Sequence, residues 1–446
     1  MQPKPTTAAA QAPRTGRIAR SAIAGVAVAR VGAAHLQHKA QSLGRSPVDV
    51  AQASAQHEAK LGRILFGALS QLRGTALKAS QLLSIELGFL PEATRAELAR
   101  AHYQVTPLNR ALVIKLMRDA FGQLPQTLFA HFDPQAFAAA SLGQVHAATL
   151  HSGESVAVKL QYPGMAASVG SDMQLMRGLL KTLAGSTSAM PKAELIDRVM
   201  ADIQHKLAEE LDYLHEADQL IWFGQQLTHP ALTVPQPVMA LTSARVLTMQ
   251  RLHGLHLNEW LATGPSQQAR DYFGQLLFDV FLRCTFELHR LQADPHPGNY
   301  LFMPDGRLGL IDFGCTRALD ASFCDAIGAA WSALLRTPAD TRALQHSYQR
   351  LGMISLDLSP SEFELQLMPA LACFQHWQRL PFAQAIYDFA QHPAPPRMSA
   401  AQHRIAVQHM QSVPPDLPYF DRSYLGLVQL LRQLGARVRT TNRWIQ

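Results

Sequence analysis

The chain has 446 residues, of which 48% are hydrophobic and 16% charged; it can bury a large core and is neither disordered nor fibrous. Its four cysteines (Cys284, Cys315, Cys324 and Cys373) lack CxxC spacing, which argues for reduced thiols in a cytosolic setting and against a disulfide framework or a zinc site. The net charge of +7 equals the contribution of Lys4, Arg14, Arg17, Arg20, Arg30, Lys39 and Arg45, which precede the first acid, Asp49. The basicity is therefore a leading segment and not an aromatic-rich patch, and nucleic-acid binding is not expected.

Residues 1–20, rich in Ala, Thr, Gln and Pro, read as disordered. Ala22 to Leu36 is apolar but interrupted by Arg30, and no uninterrupted apolar run reaches the ~18 residues a membrane span needs. It leaves open a tail leading into a helix, a basic segment on an anionic membrane surface, or a transit peptide. From Val50 to Arg118 apolar residues recur at three- and four-residue spacing (Leu61, Ile64, Leu65, Leu69, Leu72), which predicts helices. Within this stretch Lys78 and Gln81 share one helix face, a pair that is most often solvated.

Pro125 to Pro134 reads as a linker. GQVHAATL and SVAVKLQY then predict two strands joined by the turn His151-Ser152-Gly153-Glu154. Ala157-Val158-Lys159 matches the kinase strand whose lysine pairs with nucleotide phosphates. Counted back from Val145, the glycine places of G-x-G-x-x-G-x-V fall on Ala138, Ala140 and Gly143, so two of the three are alanine. Alanine has a Cβ and a restricted φ, so this loop should hold a nucleotide differently. Ile196 to Phe223 predicts one long amphipathic helix containing Glu209 and Glu210, placed where a kinase helix supplies the carboxylate that pairs with the lysine. Val246 to Leu252 reads as a strand and hinge, with Met249 as gatekeeper and Gln250 to Leu252 offering backbone groups to adenine.

Leu291 to Arg317 places Asp294, Asn299 and Asp312 at intervals of five and thirteen residues, the last opening Asp312-Phe313-Gly314. Kinase-type phosphoryl transfer uses a catalytic aspartate, an asparagine five residues on, and a metal-binding aspartate before Phe-Gly. YLF and LGLI around Pro304-Asp305-Gly306 predict a hairpin that holds Asn299 and Asp312 at neighbouring strand ends, a donor set suited to Mg²⁺. After Arg317 the pattern is helical to the end, with breaks at Pro393–Pro396 and Pro414–Pro418. No A-P-E segment follows the DFG, so the usual protein-substrate platform is missing.

Taken together, Lys78-x-x-Gln81, the AAAS run, VAVK, ELDY-x-x-EA, QADPHPGN and DFG resemble the UbiB or AarF family of atypical kinase-like proteins, associated with ubiquinone biosynthesis. Gln292-Ala293-Asp294 and DFGCTR look most like its mitochondrial-type and proteobacterial members. The resemblance covers roughly residues 60–435. It implies an α+β, two-lobed kinase-like fold with an N-terminal helical extension and a mostly helical C-terminal lobe. The expected divisions are a basic segment 1–48, an extension 49–125, an N-lobe 126–252 and a C-lobe 253–446. It further implies that Lys159 contacts the phosphates and pairs with Glu210, that Asp294 is the catalytic aspartate, and that Asn299 and Asp312 hold Mg²⁺. Ala138, Ala139, Ala140 and Ser141 would form the alanine-rich loop, with Gly143, Val145, Met249, Gln250 and Leu252 lining the nucleotide site. Lys78 and Gln81 would reach over it and block protein substrates; Ser80 stands where the family usually has Gly.

The resulting expectation is an Mg²⁺–ATP-binding atypical kinase or ATPase supporting isoprenoid-quinone biosynthesis. An anionic membrane surface and quinone-pathway lipids or proteins are the expected partners, in the cytoplasm or peripheral on the inner membrane. The alternatives are a nucleotide-gated pseudokinase scaffold or lipid-handling chaperone, and a small-molecule phosphotransferase. Gly314 argues against the last, since those enzymes usually carry an acidic residue there.

Overall fold

The computed structural model describes residues 107–445 apart from Ser141, 185–192 and Arg397, together with parts of 25–37 and 57–67. Lys78, Gln81, Ser141 and residues 1–24 and 38–56 lie outside the described residues. The chain divides into two units, Met1–Asp218 with Pro237–Arg251, and Gln219–Gln236 with Leu252–Gln446.

The first unit is built on a four-stranded antiparallel sheet in the order β1 (His131–Ala140), β2 (Gly143–Thr149), β3 (Ser155–Gln161) and β5 (Val246–Gln250). Helix α1 (Arg110–Phe121) starts at Asn109, whose side chain accepts from the Leu112 amide, and ends at Gly122 in the left-handed region. Its Val113 and Met117 pack with Val156, Val158, Leu160 and Val246 on one face of the sheet. The other face of β3 carries Ala157, Lys159 and Gln161 and is also buried, so the stretch Val156–Leu160 reads as an apolar run broken by one lysine. The β2–β3 turn falls where expected, with Gly153 at φ 92°.

Three expectations change here. The 125–134 segment is not a linker: Pro125–Leu128 is a helical turn, and β1 begins at His131 and runs through Pro134. Proline is tolerated because β1 is the edge strand, and the register is irregular between Phe132 and Ala136. Ala138 to Ala140 are strand rather than loop, paired as Ala138↔Val145, Ala139↔Gln144 and Ala140↔Gly143. Alanine keeps to extended φ/ψ where glycine need not, so the ladder continues to Ala140↔Gly143, with only two residues between the strands.

The third change concerns the helix expected from Ile196 to Phe223. The structure has α3 (Ala193–Glu210), a break at Leu211-Asp212, and α4 (Tyr213–Gln226). Asp212 causes the break by capping α4, its side chain accepting from the Leu214 and His215 amides at 3.1 and 3.2 Å. Helix α2 (Met165–Ala184) packs along α3 through Met173, Met176, Ile203 and Leu207. The described residues of 25–37 are helical and bury Ala27, Val31 and Ala34 in the same cluster, so the apolar stripe of this basic segment packs on protein.

In the second unit β4 (Leu232–Thr233), β8 (Leu308–Leu310) and β7 (Tyr300–Phe302) form one small sheet, and β6 (Arg290–Gln292) pairs with β9 (Thr316–Ala318). Helix α5 (Gln267–Phe286) precedes β6; after β9 come α6 (Ala321–Leu335), α7 (Thr341–Arg350), α8 (Met368–Arg379), α9 (Ala400–His409) and α10 (Leu417–Leu434). The stretch after Arg317 is thus mostly helical, but it also contains a two-stranded sheet of β10 (Ile386–Asp388) and β11 (Arg437–Arg439). Helix α10 runs against α5 and brings its first turns to the loop after β6. Among the described residues no helix is long and apolar enough to cross a membrane.

Candidate functional site

In the first unit the site is built around Lys159. Its Nζ donates to both carboxylate oxygens of Glu216, at 2.8 and 2.9 Å, and both side chains are buried. The ammonium also lies 5.1 Å from the Tyr213 ring centroid. The expectation that Lys159 pairs with Glu210 is therefore corrected: Glu210 is the last residue of α3, and the partner is Glu216, one turn into α4. The break itself makes the pairing, because Gln161 Nε2 donates to the Leu211 carbonyl at 2.9 Å and ties it to the end of β3. The sequence carried the signal in Asp212, a strong cap residue with Glu216 four places on, but the apolar period running through to Leu214 hid it.

Gly143 has a packing role here. A Cβ on it would collide with the carbonyl oxygen of Leu160 and approach the Tyr213 hydroxyl at 2.8 Å. The glycine lets β2 close onto β3 beside Lys159. Val145 is directly opposite Lys159, Ala138 opposite Val145, and Met249 opposite Ala157, so these side chains share the Lys159 face of the sheet. Gln250 pairs with Val156 and is exposed, and the Arg251 amide donates to the Ser155 carbonyl at 3.0 Å, which removes that group from those open to a ligand. Leu252 belongs to the second unit and packs beside Gly309.

In the second unit the expected hairpin is present, with Tyr300↔Leu310 and Phe302↔Leu308 paired and Gly306 at φ 82° in its turn. The Ile311 amide donates to the Asn299 carbonyl at 3.1 Å, which fixes Asn299 and Asp312 at adjoining strand ends. Asn299 Nδ2 donates to the Asp294 carbonyl at 2.8 Å, orienting the amide so that its oxygen is the end left to receive a cation. Asp312 Oδ1 accepts from the Gly314 amide at 3.0 Å, an Asx turn that sets the carboxylate. Among the described residues no group of three or more His, Cys, Asp or Glu could hold a metal unaided. Mg²⁺ does not require one, since it usually takes one or two protein oxygens and completes its shell with phosphates and water. The donor set of Asn299 and Asp312 fits that pattern.

Two residues of this site have no role in the sequence reading. Gln292 Nε2 donates to the carbonyls of Asp294 at 3.0 Å and Asp312 at 3.3 Å, linking the Asp294 loop to the Asp312 turn. Its Oε1 accepts from the Tyr300 hydroxyl, which burial, with the Asp294 charge adding, holds in its protonated, donating form. Nearby, burial pushes the Cys284 thiol up to about 12, so it is an inert packing residue.

The second is Arg422 on α10, whose Nη2 donates to Asp294 Oδ1 at 2.6 Å. The helix is held to the catalytic stretch at three further points. Asp416 pairs with Arg317 at 2.7 Å and accepts from the Asp320 amide at 2.9 Å. Gly426 lies so close to Pro295 that a Cβ would overlap the ring. No local signal marks Arg422, which lies 128 residues from its partner. If it positions Asp294, Arg422→Ala should lower kcat about tenfold or more with KM nearly unchanged, and Arg422→Lys should recover part of the loss. Steady-state ATP hydrolysis measures this; a rise in turnover instead would mean that the arginine restrains the aspartate.

The ABC1 atypical kinase-like domain model matches residues 100–347. The chain is 35% identical over 261 residues to the atypical kinase COQ8B, mitochondrial, of Rattus norvegicus, covering 58% of this chain and 48% of that protein. It is 33% identical over 259 residues to the atypical kinase COQ8, mitochondrial, of Saccharomyces cerevisiae, covering 57% and 50%. It is also 31% identical over 269 residues to the probable serine/threonine-protein kinase abkA of Dictyostelium discoideum, covering 57% and 46%. The chain thus spans about half the length of these relatives. A solved complex of Rv3197 with erythromycin from Mycobacterium tuberculosis matches with a TM-score of 0.61 at 24% identity, over 87% of this chain and 95% of that one, a likeness of fold. With the α+β fold, the paired strand lysine and the Asp-Asn-Asp hairpin in place, the chain belongs to the ABC1 atypical kinase-like family, the UbiB/AarF group of kinase-like proteins.

Proposed function

We propose that the protein is an Mg²⁺–ATP-binding atypical kinase or ATPase that supports isoprenoid-quinone biosynthesis. The observation that carries this reading is the buried Lys159–Glu216 pair on β3 and α4. A lysine is stripped of water among apolar strand neighbours only if something anionic rewards it, and Glu216 holds its ammonium in place for phosphate. Asn299 and Asp312 are the metal ligands, and the bound ion would neutralise phosphate charge. Asp294 orients the acceptor hydroxyl or water, while Gln292 and Arg422 hold the loop that carries it. Little covalent work is asked of the protein. Supporting the pathway assignment are the similarity to the COQ8 proteins and the QADPHPGN and DFGCTR motifs.

Quinone profiling tests the assignment. A strain lacking the gene should lose ubiquinone and accumulate a precursor, and the wild-type gene should restore it while a Lys159→Ala, Asp294→Asn double variant should not. Unchanged ubiquinone in the deletion strain would remove the pathway assignment. A second reading, a nucleotide-gated scaffold, is favoured by one feature: the Asp294 carboxylate already engages Arg422 at 2.6 Å. Restoration by the double variant would select it.

A further inference from the structure

Phe137 on β1 is 50% exposed, and the Arg251 guanidinium lies 4.6 Å from its ring centroid. An exposed ring carrying an arginine is ordinarily surface decoration. Its place in the sheet says otherwise. The β1–β2 register runs Ala136↔His146 and then Ala138↔Val145, so Phe137 is the extra residue of a bulge, a device that re-aims a side chain. Arg251, the residue after β5, extends the alternation of Leu247 and Met249, its amide on the Ser155 carbonyl placing it on the Lys159 face. The contact with Arg251 brings Phe137 to that face as well.

Phe137 enters this face from β1, level with Lys159 and two strands away, with Val145 between them, about 10 Å at the usual strand spacing. Arg251 enters it just past β5, beside Ser155. The span from Phe137 to Lys159 lies within the length of an extended nucleoside diphosphate. The floor between them is Ala157 with Val145 and Met249 beside it, low and apolar. The guanidinium carbon already lies over the aromatic ring, so the ring face is open to a group that favours π contact.

We propose that Phe137 is the side chain on which the base of the bound nucleotide stacks, favouring purines, and that Arg251 is the positioning residue that holds the ring over the Lys159 face. The inference rests on the nucleotide reading above and adds its base-recognition end. Neither residue is part of the phosphate or metal machinery.

Direct titration of the full chain with Mg²⁺–ATP and Mg²⁺–CTP tests it, with thermal melting as a control. Phe137→Ala should weaken ATP about tenfold and CTP much less, so that the ATP:CTP preference collapses, while Phe137→Trp should keep both. Arg251→Ala should weaken ATP by about threefold, and Arg251→Lys, which retains a cation for the ring, should stay near the wild type. If wild type binds ATP and Phe137→Ala binds it equally well with the same preference, the stacking proposal fails and the nucleotide reading stands. If folded wild type binds no nucleotide, both fail. Should Phe137→Ala melt early, Arg251→Ala decides: unchanged affinity and preference would overturn the proposal.

Discussion

Asp312→Asn should reduce Mg²⁺-dependent ATP turnover by roughly 10²–10³ or more and leave the protein folded. The substitution keeps an oxygen able to accept from the Gly314 amide, so the turn that sets this side chain survives. It removes the negative charge that, on the proposed function, draws Mg²⁺ to the strand end beside Asn299. Uncharged amide oxygens still ligate hard cations, but a site that takes only two protein donors has little to spare. Phosphate release followed as a function of Mg²⁺ concentration, beside a melting curve, separates the two properties. The expected result is wild-type melting with turnover near background, partly recovered at high Mg²⁺. Turnover like the wild type at ordinary Mg²⁺ would take Asp312 out of the metal site and remove the main support for phosphoryl chemistry in this unit.

Short-range patterns were the legible part of this chain. The hairpin around Pro304-Asp305-Gly306, the β2–β3 turn at Gly153 and the strand carrying Lys159 each follow from two or three residues whose turn or strand preference is strong. Three features were not legible, each for a different reason. Counting glycine places puts the Ala138–Ala140 run in a loop, yet alanine lacks the φ freedom that makes those places a loop, and the run is strand. The helix break at Leu211-Asp212 was masked because apolar residues on its two sides happen to keep one phase. Arg422 left no trace at all, since an ion pair across 128 residues is a product of how α10 returns to the catalytic stretch.

That return has a consequence for how the family segment is understood. The matched segment ends at residue 347, and the helix that grips the catalytic loop begins at Leu417. Its contacts are of three kinds: charge on Asp294, charge and cap on the segment after the DFG, and the close glycine approach at Pro295. An ion pair alone could be broken cheaply at a surface, but Arg422 and Asp416 are mostly shielded from water, and a shielded pair is costly to leave half-made. The geometry around Asp294 therefore depends on the chain well beyond the matched segment.

The contrast between Glu216→Ala and Glu210→Ala should be the sharpest test of the first unit. Glu216→Ala takes from the buried Lys159 ammonium the carboxylate that receives two of its hydrogen bonds, and breaking a buried ion pair by removing one partner costs about 3–5 kcal/mol. A marginally stable domain feels this as a drop of many degrees in melting temperature. Lys159 can escape part of the cost by losing its proton, but a neutral amine no longer attracts phosphate, so ATP affinity should fall along with stability. Glu216→Gln separates the effects: it keeps a hydrogen-bond acceptor of the same shape while removing the charge, and should recover stability more than ATP binding. Glu210, the last residue of α3, does not receive the two Lys159 hydrogen bonds that Glu216 accepts, so Glu210→Ala should leave that pair intact and lower ATP affinity less than Glu216→Ala does. Melting curves and Mg²⁺–ATP titrations of the three variants give the answer. Equal losses for Glu210→Ala and Glu216→Ala would mean that the pair on α4 is not what holds the lysine, and the assignment of Lys159 to phosphate would lose its structural basis.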